Sequence, residues 1–412
     1  MSGSINTGIV TNGLVFYMDT ANTQKSFIGA PTTNLYVTGG NFSPWSQGTI
    51  NDVTGTSLQG PIANAKTWQF IKTGSSSQWH GWEGTYGSTW TGSAGDIWTT
   101  GYWYKTDSPA GQTGFGVGGF YLGDWSKPYN YTVLSNTSTI IPDGLWHYNS
   151  TTTQINEAYS NAIVVDGPSW GYSTTPGTLY INGLQWEKKS FATPYAKGVR
   201  SSTQGLLDLI GGTTLDLTSA GYSSNGNLTF NGSGNYISGN ATGLPTGSSS
   251  STVLVWCKPD STGPSDQYTG LVCWGSRAGT APAPSSARLL SLYTSGTTMY
   301  VSSAFWGNDW TPNSLSVTAN AWNMVGMISR GSGANNVTLI SGGAAGLNSI
   351  TGSSSSYALG LNTPASSLTI GCTDNPGRYL KGSIGAVLIF NRELSSTEIA
   401  KIFQAMKPRF GL

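Results

Sequence analysis

The sequence predicts an all-β chain of two β-sandwich, or jelly-roll, domains, with one short α-helix at the carboxy-terminal end packed on the second. Three observations predict it. Charged residues make up 9% of the chain, against an ordinary share of about 25%, while Gly is unusually frequent. The 16 Trp, 20 Tyr and 12 Phe supply more apolar surface than a disordered tract carries, so the glycines read as turns between short strands. Only the stretch from 395 to 408 has clear helical periodicity.

Taken in order, residues 13–19 read GLVFYMD. Leu14, Phe16 and Met18 fall on one face and Val15 and Tyr17 on the other, which predicts a central strand, apolar on both sides. A turn-rich stretch with Gly29 and Pro31 follows. From about 31 to 199 the composition shifts, for 11 of the 16 Trp and 12 of the 20 Tyr lie there, in about two fifths of the length. That concentration predicts a separate domain, with strands at 67–72, 97–104, 114–122, 145–154, 162–165 and 178–184 between Gly, Pro and Asp turns. From 200 onward the pattern gives strands at 228–230, 235–237, 252–257, 270–274, 289–293, 298–302, 322–329, 337–340, 367–371 and 385–390. Their regular spacing suits a sandwich, and no repeat of fixed period points to a propeller or solenoid. The Gly/Ser-rich stretches 243–251 and 352–356 read as loops. Ser395 to Glu398 forms a capping box, and Ile399, Ile402, Phe403 and Met406 follow at helical spacing. Lys401 and Lys407 lie toward the negative end of the dipole, and Pro408 stops the run. So short a helix needs a sheet beneath it.

Several function classes are disfavoured by the same sequence. Net charge is +1 and no basic cluster exceeds Lys188–Lys189, so no nucleic-acid partner is expected. No apolar run approaches the ~18 residues of a membrane span, and MSGSINTGIV has no signal-peptide pattern, so synthesis and folding in a cytoplasm is the expectation. Cys257, Cys273 and Cys372 are odd in number and wrongly spaced for disulfides or a metal site, and read as small buried hydrophobes. The five glutamates are Glu83, Glu157, Glu187, Glu393 and Glu398, none within two residues of another acid, so the paired carboxylates of glycoside cleavage are missing. His80 and His147 stand alone, and no nucleophile elbow or phosphate loop occurs. Neither catalysis nor a cofactor is expected. Asn308–Asp309 and Asp374–Asn375 carry oxygens that calcium accepts, but such pairs also make Asx turns, and no metal is assigned.

The runs STVLVWCKPD (251–260), AWNMVGMISR (321–330), SLTIGC (367–372) and GRYLKGSIGAVLIFNRELSSTEIAKIF (377–403) resemble the laminin-G-like, concanavalin-A-like jelly roll of structural proteins from tailed and marine bacteriophages. The ending KPRFGL is similar to the tail of those viral versions. Their opening strand resembles GLVFYMDTANTQKSF (13–27), which normally leads straight into a segment like GLLDLIGGTTLDLTSAGYSSNGNLTFNGSGNYI (205–237). The resemblance therefore implies one domain made of 1–30 and 200–412, with 31–199 inserted into a surface loop. The insert, from TNLYVTGGNFSPWS (33–46) through DGLWHYNSTTT (143–153) to GTLYINGLQWEKKSFATPY (177–195), resembles carbohydrate-binding-module-like or galactose-binding-like jelly rolls of phage fibres and other virion proteins. Its closing signature is Gln185-Trp186-Glu187 and then Ala192-Thr193-Pro194-Tyr195, although the related domains carry Leu where Trp186 stands.

The resemblance implies a non-enzymatic virion structural protein on the particle exterior, a fibre, spike or decoration protein. Its partners would be copies of itself, other virion proteins and host-surface glycans, with no membrane insertion. The alternative is a free bacterial lectin or the carbohydrate-binding subunit of a polysaccharide-degrading system. For glycan contact the residues themselves point to Gln78, Trp79, Trp82 and Glu83, with Trp90 close behind, in a Gly-rich loop. Sugars stack their C–H faces on aromatic rings while amides and carboxylates fix their hydroxyls. Tyr121, Asp124 and Trp125 form a second candidate. The same rings also suit a core or a subunit interface.

Overall fold

The computed structural model describes residues 8–35, 41–44, 48–63, 65–72, 80–85, 90–106, 117–123, 131–137, 141–155, 158–171, 177–223, 228–260, 268–275, 286–305, 309–331, 336–352, 361–373 and 377–412. Their regular structure is nearly all strand, with one α-helix, Ser396–Met406, among them. The chain divides into two compact units: residues 1–30, 202–223 and 227–412 form the first, and 31–201 with 224–226 the second. Among the described residues no helix is long and apolar enough to cross a membrane.

In the first unit two antiparallel sheets enclose a core. One sheet runs, in spatial order, Gly221–Tyr222, Leu228–Asn231, Lys381–Phe390, Ser251–Pro259, Asn323–Ser329, Val337–Gly343 and Gly346–Thr351, with Leu14–Asp19 also on Lys381–Phe390. The other runs Leu215–Asp216, Ile237–Asn240, Ser367–Ile370, Tyr268–Gly275, Ala287–Ser295, Thr298–Ala304 and Ser316–Val317. The period of two decides what each face covers. Val253, Val255 and Cys257 point into the core between the sheets, whereas Leu254 and Trp256 point outward, under the helix. Both faces of that strand are thus buried, which is why its sequence is an unbroken apolar run.

The helix caps as the sequence predicts. Ser395 Oγ accepts from the Glu398 amide, the Glu398 carboxylate accepts from the Ser395 amide, and Ile399, Ile402, Phe403 and Met406 are all buried. Pro408 ends the α-helix but not the turning, for Lys407–Phe410 continues as a 3-10 turn that closes at Gly411 with φ +72°. The extra turn carries Phe410 onto Trp256, ring centres 4.4 Å apart and stacked, with Phe403 stacked on Trp256 at 5.7 Å. Cys257, Cys273 and Cys372 are buried and form no disulfide with one another.

The first strand departs from expectation in two ways. Among the described residues it lies at an edge, because it pairs there with the 381–390 strand alone, Tyr17 opposite Leu388 and Asp19 opposite Ala386. Its other edge is covered by the 207–213 segment: Asp208 accepts hydrogen bonds from the amides of Tyr17, Ile210, Gly212 and Thr213. A carboxylate satisfying four amides does the work of a missing strand. A bulge between Leu14 and Phe16 also moves Leu14 to the helix side, leaving Phe16 and Met18 in the core. At the far end of the chain Arg409 forms an ion pair with the buried Asp19.

In the second unit one sheet has the order His147–Gln154, Ile97–Thr106, Gly177–Glu187, Thr67–Lys72, Gly48–Asp52. The other has the order Tyr131–Thr137, Val117–Gly123, Tyr159–Gly171, His80–Thr85, Asn41–Pro44, with Trp90–Gly92 also on Tyr159–Gly171. Thr32–Thr33 pairs with Val199–Arg200, so the first and last residues of this unit are hydrogen-bonded neighbours. The strand read at 162–165 is far longer, Tyr159–Gly171, because Gly167 and Pro168 break the apolar pattern without breaking the strand.

Candidate functional site

Of the residues singled out in the sequence, Gln78, Trp79, Asp124 and Trp125 lie outside the described residues, as do Asn308, Asp374 and Asn375. Trp82 and Glu83 belong to a strand, His80–Thr85, and not to a Gly-rich loop. Trp82 stands opposite Gly167 and Pro44, and Glu83 opposite Ser43. The correction has a plain cause: HGWEGT alternates large and small residues with period two, and pairing on both sides outweighs the low strand propensity of glycine. Trp90 pairs with Ala162, and Tyr121 with Asp166 and Val133. The long Tyr159–Gly171 strand therefore gathers Trp82, Trp90 and Tyr121 into one sheet.

A cleft of about 440 Å³ lies on the other sheet, lined by Ile62, Gly101, Trp103, Tyr148, Gln185 and the loop Ala192–Tyr195, together with Gly183. Register explains the grouping. Trp103 stands opposite Tyr148 on one side and Asn182 on the other, and Gly101 opposite Gln185, so these side chains share one face. The opposite face holds Tyr102, Tyr104, Leu179 and Ile181, all buried. Between Asn182 and Gln185 the register slips, and Gly183 takes φ +64°, a conformation that L side chains rarely adopt. This bulge reverses the alternation. Leu184 and Trp186 become the buried pair on the inner face, and Gln185 and Glu187 are delivered to the cleft side.

Trp103 and Tyr148 are tilted against each other, ring centres 5.5 Å apart at 55°. Tyr148 as a residue is 47% exposed, but its hydroxyl end lies over Gly101, where an added Cβ would come within 2.5 Å of the oxygen. Burial of that end, with a smaller contribution from the negative Glu187, pushes the phenol up to about 12. Burial likewise raises Tyr195. Both remain neutral hydrogen-bonding groups at ordinary pH.

A buried polar knot fixes the cleft wall. Glu187, 1% exposed, accepts from Thr193 N at 2.7 Å, Thr193 Oγ1 at 2.7 Å, Gln185 Nε2 at 2.9 Å and Thr32 Oγ1 at 2.6 Å. Gln185 Oε1 accepts from Ala196 N at 2.6 Å, and Arg200 donates to Thr193 Oγ1 and to the Pro194 carbonyl at 3.0 Å each. Asn34 donates to the Leu184 and Ala196 carbonyls and accepts from Trp186 N. The closing signature seen in the sequence is thus structural. It ties the last strand, the 191–196 loop and the first residues of the unit into one piece, so that Pro194 and Tyr195 stand over the sheet. Among the described residues no group of three His, Cys, Asp or Glu could hold a metal ion.

Sequence reasoning missed Trp103 and Tyr148. The available signal was aromatic surplus: on adjacent strands, in GYWYKT and HYNSTTT, both faces carry rings, and a core needs only one.

Residues 231–400 match a laminin G family described as the Concanavalin A-like lectin/glucanases superfamily. The first unit is accordingly a concanavalin A-like jelly roll. No curated protein matches the chain. Among solved structures, the binding domain of botulinum neurotoxin serotype D is similar at 13% identity and a TM-score of 0.34, covering 50% of each chain. Domain 4 of a GH43 extracellular arabinanase from Geobacillus stearothermophilus, in complex with arabinotriose, is similar at 15% identity and 0.31, over 47% of this chain and 82% of that one. A mutant GH54 α-L-arabinofuranosidase is similar at 11% identity and 0.38, over 77% and 62%. The chain thus spans half the length of the neurotoxin domain it matches.

Proposed function

We propose that this is a non-enzymatic glycan-binding protein whose site is the cleft lined by Trp103, Tyr148 and Tyr195. The observation that carries the reading is a pair of accessible rings on the open face of a sheet, above a glycine floor and beside a wall that the Glu187 knot holds rigid. Rings left exposed at rest, next to preset polar groups, match what a sugar's C–H face and hydroxyls require. The glutamates with described side chains support a binding role. Glu187 is fully used by its four donors, Glu393 is paired with Arg330, and Glu398 with Arg392.

The setting we propose is the exterior of a virion, as a fibre, spike or decoration protein assembled from copies of itself and other virion proteins and touching host-surface glycans. Support comes from the viral resemblance of residues 13–27, 205–237 and 377–412, and from a chain with only 9% charged residues, a composition that suits large subunit contacts.

The test is a calorimetric titration of the purified protein with a panel of oligosaccharides. Trp103→Ala and Tyr148→Ala should each weaken binding by at least about tenfold, with the melting temperature nearly unchanged because both rings are partly exposed. Trp79→Ala and Trp82→Ala are the counterpart pair. If loss of binding follows those two substitutions and spares Trp103→Ala, the site lies around Trp79 and Trp82 instead.

A further inference from the structure

The open face that carries the cleft also carries Lys105, which forms no ion pair among the described residues. One row of side chains along from Tyr148 and Trp103 lie Trp146, Lys105, Tyr180 and Gln69, with Tyr180 opposite both Lys105 and Gln69. Successive residues on one face of a strand are about 7 Å apart, so the two rows adjoin. Lys105 Nζ sits 5.3 Å from the centre of the Tyr180 ring, Trp146 packs edge-on against the same ring at 6.3 Å, and Gln69 Nε2 donates to the Tyr180 hydroxyl at 3.0 Å. The lysine stem is thereby held in place. Three described acids of the same unit are engaged elsewhere: Asp52 with Lys66, Asp143 with His147, Glu187 inside its knot. Among the described residues no carboxylate pairs with Lys105, so the described part of the ligand face carries a positive charge.

We propose that the ligand of the Trp103–Tyr148 cleft is an anionic glycan, whose carboxylate or sulfate pairs with Lys105 while a neighbouring sugar lies on the two rings. This rests on the glycan reading of the cleft. A neutral chain would leave a partly desolvated ammonium uncompensated, whereas an anionic group pairs with it at short range. The ring pair supplies the apolar contact and Lys105 the selection.

The experiment compares, on the full chain, three oligosaccharides of equal length: one neutral, one containing uronate and one sulfated. The expected result is that at least one anionic member binds about tenfold tighter than the neutral one, and that the preference shrinks between about 50 mM and about 500 mM salt. Lys105→Gln should abolish the preference while leaving neutral binding intact, and Lys105→Arg should keep it; thermal melting confirms that both variants fold. Whichever anionic member is preferred identifies the group as carboxylate or sulfate. Equal affinity for all three, with loss on Trp103→Ala, overturns the anionic inference and leaves the glycan reading standing. Absence of binding to every member overturns both.

Discussion

Glu187 shows how much one residue can organise. Its carboxylate is buried and receives four hydrogen bonds, two of them from Thr193, and without it the Thr193 amide and the Thr32 hydroxyl would lose their buried acceptor. Glu187→Ala should therefore cost about 3 kcal/mol, the penalty for several buried donors left unpaired. Thermal unfolding checks this, and a melting temperature within a degree or so of wild type would mean that water replaces the carboxylate at no cost. The same substitution should weaken glycan binding indirectly, by loosening the loop that holds Tyr195. At this scale the sequence was informative where chemistry is local. Gln185, Glu187 and Thr193 sit within nine residues, and their grouping stands out before any fold is known. Gly183 was opaque, because its role depends on a register slip against Ile97–Thr106, and register between strands so far apart leaves no local trace. Missing the bulge also hid the cleft, since strict alternation would have turned Gln185 inward.

Among the elements, the carboxy-terminal helix was the most legible, for a capping box and an i, i+3, i+4, i+7 stripe are short-range signals. What followed it was not. Phe410 looked like part of a tail, and only the 3-10 turn brings it onto Trp256, a residue distant in sequence. The first strand was read correctly as a strand but wrongly as central, because cover by the Asp208 carboxylate gives an edge the same apolar composition as an interior position. The helix start also carries a pH dependence whose sign can be worked out. Glu398 is held down to about 2 chiefly by its hydrogen bonds from Arg392, helped by the Ser395 amide. A carboxylate with a depressed folded value contributes stability that is complete above its unfolded value of about 4.3 and is lost as pH falls toward 2. Wild-type melting temperature should thus drop between about pH 4 and pH 2, and Arg392→Met should flatten that drop by raising Glu398 toward its ordinary value. Melting curves by circular dichroism across this range make the comparison. Identical pH profiles for the two proteins would show that the pair adds nothing.

For the whole molecule, the sequence placed a break near residue 30 and another near 200 from composition and resemblance, and the structure has compact units that change at 30–31 and 201–202. Whether the second unit is an insert in the physical sense is a matter of independent folding. Within the first unit the Ile28 amide donates to the Gly205 carbonyl at 2.8 Å, and Phe27 bridges Leu206, so the two cut ends would lie side by side without the intervening chain. Replacing residues 31–201 by a short Gly/Ser linker closes a small loop at little entropic cost. The product should fold cooperatively and keep the helix signal; an unfolded or insoluble product would show that the first unit needs the second. Assembly is the other question at this scale. A chain with a net charge of +1 and 9% charged residues has little electrostatic repulsion between copies, and such a surface suits burial against itself. For the fibre or spike reading, light scattering at neutral pH and moderate salt should give a discrete closed oligomer, such as a trimer, because closed symmetry is how identical subunits satisfy one another without growing into filaments. A clean monomer would remove the fibre and spike from consideration. It would leave a decoration protein organised by the particle lattice, or a free lectin, and between those two the glycan titration of the Trp103 cleft in the absence of any particle would decide.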